Sequence, residues 1–227
     1  MTSFQQRFES LDTWLKAHTQ LWQFDTFARL GNPWQHAYPD LALYLENKSL
    51  EPESESFYAE VFRLCPDLKT ALNFATPNLF DQSPQRTPTY DLPGYVSVGI
   101  KGRKWAQIQA FVSHTPNADN YVEWCAGKGH LGKLLAFQDS NPVHSLEWQK
   151  SLCEAGEQEA KRLNISQTFT HADVLKGEGR SALANAHCAV ALHACGDLHR
   201  KLIEQAVAAN TAIVCISPCC YHLTQDS

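Results

Sequence analysis

The chain has 227 residues, a formal net charge of −5, 44% hydrophobic and 19% charged residues, which allows one large domain or two small ones with a real core. No run approaches the roughly 18 uninterrupted apolar residues of a membrane helix, and the first residues show no basic stretch leading into an apolar one, so the expected setting is cytoplasmic. The acidic balance argues against a protein-wide electrostatic grip on nucleic acid and leaves only a local basic patch open.

Phe4, Phe8, Leu11, Trp14 and Leu15 recur at helical spacing and predict a first helix. Leu21, Trp22, Phe24, Phe27 and Leu30 form a further apolar cluster before the break at Gly31-Asn32-Pro33. Residues 37–47 and 54–64 read as two more helices, each preceded by Pro or by Asp, Glu and Ser start signals. Trp14, Trp22, Trp34, Trp105 and Trp124 all precede Ala126; aromatic density of this kind means core packing, with a substrate-facing surface as the alternative. Residues 81–94 have linker composition and divide a helical region, 1–94, from a second region, 95–227.

Lys101-Gly102-Arg103-Lys104 leads into a helix over 105–113. Strands are then predicted over 121–125, 143–148, 167–171, 188–193 and 211–217, and helices over 130–137, 149–163, 181–185 and 198–209. This alternation gives an α/β fold with a parallel sheet covered by helices on both faces. The eight cysteines are irregularly spaced, and several lie in apolar runs. That suits free thiols rather than a disulfide framework.

Ala126-Gly127-Lys128-Gly129-His130-Leu131-Gly132 follows one strand and opens a helix. Glycines serve where the backbone turns with positive φ and approaches a ligand closely, and the helix start offers unpaired N–H groups. Literally the loop spells the dinucleotide fingerprint G-x-G-x-x-G. Three carboxylates at successive strand ends bear on that choice. Glu123, just before the loop, sits awkwardly near a pyrophosphate and suits an ammonium group, such as the methionine end of S-adenosylmethionine. Glu147 is placed to accept from ribose hydroxyls in either cofactor. Asp173 is placed to accept from an adenine amino group.

This pattern resembles the class I, Rossmann-like methyltransferases over about residues 95–220. The resemblance implies that Glu123, Cys125, Gly127 and Gly129 form the S-adenosylmethionine loop, Glu147 the ribose ligand and Asp173 the adenine contact, with His193 also near the cofactor. Cys125 stands where the family usually has its first glycine. The combination Ala126-Gly127-Lys128-Gly129-His130-Leu131, Cys195-Gly196-Asp197-Leu198 and Cys219-Cys220-Tyr221-His222 looks like a narrower subgroup, the methyltransferase-like domains of glutathione-S-transferase C-terminal-domain-containing proteins. It is more distantly similar to acceptor-stem tRNA 2′-O-methyltransferases. The family sheet has seven strands and only five fit here, so the expectation is a Rossmann-like methyltransferase sheet lacking its last two strands.

Ligands of open parallel sheets bind beyond the carboxyl ends of the strands. The loops 193–197 and 217–222 lie there. Methyl transfer from a sulfonium is an in-line displacement that needs a positioned acceptor and a base, for which His193 and Asp197 are candidates. Asp197 is equally suited to cap the following helix. Cys195 with Cys219 or Cys220 is similar to the paired-cysteine layout of RNA cytosine-C5 methyltransferases, although the Pro-Cys dipeptide after the fourth strand is missing. Cys195, Cys219, Cys220, His193 and His222 could alternatively ligate zinc through sulfur and imidazole nitrogen, but adjacent cysteines are poorly spaced for a closed tetrahedral site and no C-x-x-C occurs, so no metal is assigned. Lys101, Arg103 and Lys104 suit a cofactor carboxylate or an acceptor-RNA phosphate, or are simply solvated. The expected function is an S-adenosylmethionine-dependent methyltransferase acting on RNA or protein. A nicotinamide-dependent oxidoreductase and a non-catalytic cofactor-binding interaction protein are the alternatives.

Overall fold

The computed structural model describes residues 4–24, 31, 33–46, 54–75, 92–220 and 223–224. Helices α1 (Phe4–Ala17), α2 (Thr19–Trp22), α3 (Pro39–Leu45), α4 (Glu55–Leu64) and α5 (Pro66–Ala75) come first. The start signal before α4 acts as the sequence suggests, since the Ser54 hydroxyl accepts the Phe57 N–H at 3.1 Å. Helix α5 is an addition to the expected elements. Pro66 opens it and Asp67 lies in its first turn, two helix-start signals masked by their nearness to the end of α4. In this part α1 packs on α5, and α4 on both α3 and α5. Trp14, Trp22 and Trp34 are half-buried. Phe27 and Leu30 of the second apolar cluster lie outside the described residues.

Helix α6 (Gly102–Ser113) leads into the alternating region: β1 (Tyr121–Trp124), α7 (His130–Asp139), β2 (Val143–Glu147), α8 (Lys150–Leu163), β3 (Gln167–His171), α9 (Arg180–Ala184), β4 (Cys188–Leu192), α10 (Asp197–Ala209) and β5 (Ile213–Ser217). Every strand expected from the sequence is present. The five strands are all parallel, in the order β3-β2-β1-β4-β5. Tyr121 pairs with Val143 on one side and Cys188 on the other, which aligns the strand ends carrying Trp124, Glu147, His171 and Leu192 along one edge. The chain divides into two compact units, 1–81 and 82–227. The division falls at the start of the linker-like stretch, whereas composition suggested its end.

Strand alternation sorts the core into two layers. Tyr121, Val143, Cys188 and Val190 pack with Leu131, Leu134, Leu135, Ile108 and Val112 of α7 and α6. Val122, Trp124, Leu146, Ala189 and Ala191 face the other way, onto Leu183 of α9 and Leu202 and Ala206 of α10. Trp124 is 1% exposed, and its Nε1–H donates to the Leu198 carbonyl at 3.0 Å, fixing the start of α10 to the end of β1. No described helix is long and apolar enough to cross a membrane.

Candidate active site

The turn after β1 is built from left-handed backbone. Cys125 has φ 56°, Gly127 59° and Gly129 70°, so the cysteine at the family's first glycine position adopts the glycine-like conformation despite its side chain. Burial, aided by Glu147 and Glu123, pushes the Cys125 thiol up to about 12 and keeps it protonated. Gly129 is the cap of α7 and, as a glycine, offers no capping side chain. A Cβ on Gly129 would overlap the side chains of Gln167 and Phe169.

Glu123 lies beneath this turn rather than in front of it. It shares the β1 face of Tyr121, is 3% exposed, and accepts the Ser145 hydroxyl at 2.7 Å and Gln167 Nε2–H at 3.4 Å. The nearby backbone of Leu131 and Gly132, in the first turn of α7, favours its ionised form. Burial nevertheless dominates and raises its pKa to about 7. Strand parity thus turns Glu123 toward α7, behind the loop, and it is not among the residues lining the cleft in front. Ser145 and Gln167 complete this buried polar knot. Their signal in the sequence was a polar residue at an inward position of two neighbouring strands.

In front of the turn lies a cleft of about 560 Å³ at the carboxyl ends of β1, β2 and β3, within the usual range for small-molecule sites. Cys125, Gly127, Glu147 and Asp173 line it, whereas Glu123, Gly129 and His193 do not. Glu147 accepts the Gly127 N–H at 2.8 Å through one oxygen and the Gln149 N–H at 2.9 Å through the other. It thus ties the glycine turn to β2 while keeping lone pairs toward the cleft. Asp173 accepts the Leu175 N–H at 3.2 Å and pairs with Lys176 at 3.1 Å. Lys176 and that N–H hold its carboxyl below the usual range. Trp148, Leu175 and Leu198 supply apolar walls, with Trp148 66% and Leu175 48% exposed. Trp148 and Leu175 were not singled out from sequence, because an apolar residue near a strand end looks like any other core residue.

Residues 103–227 match the model of a family described as "Methyltransferase domain". The chain belongs to this methyltransferase-domain family. It is 31% identical over 131 residues to a glutathione S-transferase C-terminal domain-containing protein of Xenopus laevis, a match covering 55% of this chain and 20% of that protein. The chain thus spans a minor part of that relative's length. Coclaurine N-methyltransferase bound to N-methylheliamine and SAH is 16% identical, with 85% of this chain and 52% of the other covered at a TM-score of 0.37. Protein-L-isoaspartate O-methyltransferase is 14% identical, with 75% and 51% covered at 0.35.

In this methyltransferase domain the loops after β4 and β5 stand apart from the residues lining the cleft, Leu198 excepted. His193 is exposed, has φ 63°, and places Nε2 3.2 Å from Gln107 Oε1 on α6. Asp197 is not the cap of α10. Gly196 turns the chain one residue earlier, leaving Asp197 as the first helical residue, where its Oδ1 forms an ion pair with Arg200 at 3.2 Å from Nε. A carboxylate there still complements the helix start. Cys195 Sγ lies 2.8 Å from Cys219 Sγ and 3.3 Å from the His193 carbonyl. Burial, with Cys219 and Cys220 beside it, pushes the Cys195 thiol up to about 12, away from the thiolate that a nucleophile needs. Tyr221 and His222 lie outside the described residues. Lys101, Arg103 and Lys104 are exposed at the start of α6 and do not line the cleft.

Proposed function

We propose that this methyltransferase domain binds S-adenosylmethionine in the cleft between Gly127, Glu147 and Asp173 and transfers its methyl group to an RNA or protein acceptor. The observation that carries the reading is the occupation of the α7 start. Pyrophosphate recognition by a G-x-G-x-x-G turn seats an anion at the first helical turn, and here the Glu123 carboxylate already lies against Gly132 in that turn. The cleft keeps features that suit a nucleoside: the Glu147 carboxylate for ribose hydroxyls, Asp173 for an adenine amino group, and the apolar Trp148 and Leu175 for the purine faces.

The methyl group leaves the sulfonium as the acceptor's lone pair attacks from the opposite side, so the protein's part is alignment and removal of the acceptor proton. His193 is the better-placed base of the two candidates, because Asp197 is engaged with Arg200. The cytoplasm is the proposed compartment.

Calorimetric titration with S-adenosylhomocysteine and, separately, with NAD tests the cofactor. Binding of the homocysteine product is expected, weakened roughly 10- to 100-fold by Asp173→Ala, the range for loss of a hydrogen bond to a charged group. Lys161→Ala, on an exposed position of α8, serves as the unaffected control. Binding of NAD alone would overturn the assignment. Tritiated-methyl transfer into fractionated RNA and protein then identifies the acceptor class.

A further inference from the structure

The fold brings Cys195 beside the adjacent thiols of Cys219 and Cys220. Cys195 follows β4 while Cys219 and Cys220 follow β5, and these two strands are neighbours in the sheet. The sulfur atoms of all three lie within 4.8 Å of one another. In extended chain Cys219 and Cys220 would point to opposite sides. Cys220 instead has φ 51°, which breaks the alternation. The sequence objection to a metal site, that adjacent cysteines cannot close one, is met by a third sulfur arriving from another loop.

The geometry points to a zinc-binding site formed by Cys195, Cys219 and Cys220 that clamps the β4 and β5 loops at the ligand-binding edge of the sheet. Soft thiolates select zinc over magnesium or calcium. Zn–S bonds of about 2.3 Å in a tetrahedron set sulfur atoms about 3.8 Å apart. The pair at 2.8 Å opens and the outer separation, at most 4.8 Å, closes to reach it. Each thiol gives its proton to solvent as its sulfur binds the ion. Cys220 is exposed, so the fourth position opens toward water, the arrangement of a site that keeps an exchangeable ligand. This site does not depend on the cofactor assignment, since none of the three cysteines lines the cleft.

The test uses the full chain, purified under reducing conditions and stripped by a chelator. Zinc is quantified by mass spectrometry after reloading. Cobalt is added in parallel, because thiolate coordination gives it a near-ultraviolet charge-transfer band and tetrahedral geometry intense visible bands. About one equivalent of metal per chain is expected, with zinc displacing cobalt and protecting three thiols from a thiol-reactive dye. Cys220→Ser, at the exposed position, should weaken zinc at least tenfold while the circular dichroism spectrum is unchanged; Cys153→Ser, remote from the cluster, should not. Absence of the charge-transfer band, equal binding by Cys220→Ser, or recovery of Cys195 and Cys219 as a disulfide from the reduced preparation would each overturn the site.

Discussion

Glu123 illustrates how one side chain carries both the fold and the choice of ligand. Its carboxyl is buried among Ser145, Gln167 and the first turn of α7. Because its pKa in the folded protein, about 7, lies above the ordinary glutamate value, the native state holds a proton that the unfolded chain has lost. Stability is therefore greatest below the unfolded pKa, falls as pH rises through that window, and is flat above about 7. Glu123→Gln should remove this slope and stabilise the protein at pH 8 by roughly 1–3 kcal/mol, the scale set by a shift of two or so pK units. Urea denaturation of both proteins across this pH range is the measurement. A wild-type slope identical to that of the variant would show that the carboxyl is ionised at no cost. The identity of this residue was legible from sequence, and its direction was not. Parity places Glu123 with Tyr121 on one face, but only the folded sheet says which face the helices cover.

At the scale of elements, the strand–turn–helix unit from β1 to α7 rests on two glycines in different ways. Gly129 combines positive φ with a crowded site against Gln167 and Phe169, whereas Gly127 has positive φ and open space where a Cβ would stand. Alanine at position 127 should cost about 1–2 kcal/mol, the left-handed backbone penalty alone. Alanine at 129 should cost roughly 2–4 kcal/mol, because overpacking adds to that penalty. Chemical denaturation of the two variants checks the difference; equal losses would mean that Phe169 and Gln167 move aside freely. The pattern of strands and helices from 121 onward was readable because periodicity switches cleanly between apolar runs and amphipathic stretches. Helix α5 was not, since a proline that opens a helix and one that ends the previous helix look alike in sequence. Glu147 and Asp173 were found by their place at strand ends, and Trp148 was missed although it directly follows Glu147.

In the second unit, the parallel order β3-β2-β1-β4-β5 brings both the cleft and the cysteine loops to one edge of the sheet. Alternation in the sequence implied the sheet, but convergence of Cys195 with Cys219 and Cys220 required the adjacency of β4 and β5, which spacing alone does not encode. The two units differ sharply in buried apolar content. Among the residues of 1–81 whose side chains are described, Leu41 and Cys65 are the buried hydrophobics, whereas 82–227 contains both core layers. Local opening is easiest where few apolar groups are buried. Amides of α1 and α4 should therefore exchange with deuterium at least tenfold faster than those of β1 and β4, a difference of about 1.4 kcal/mol or more in opening free energy. Hydrogen exchange read by mass spectrometry at fixed pH measures it. Equal protection in the two sets would mean that stability in the helical unit comes from something other than its own buried core.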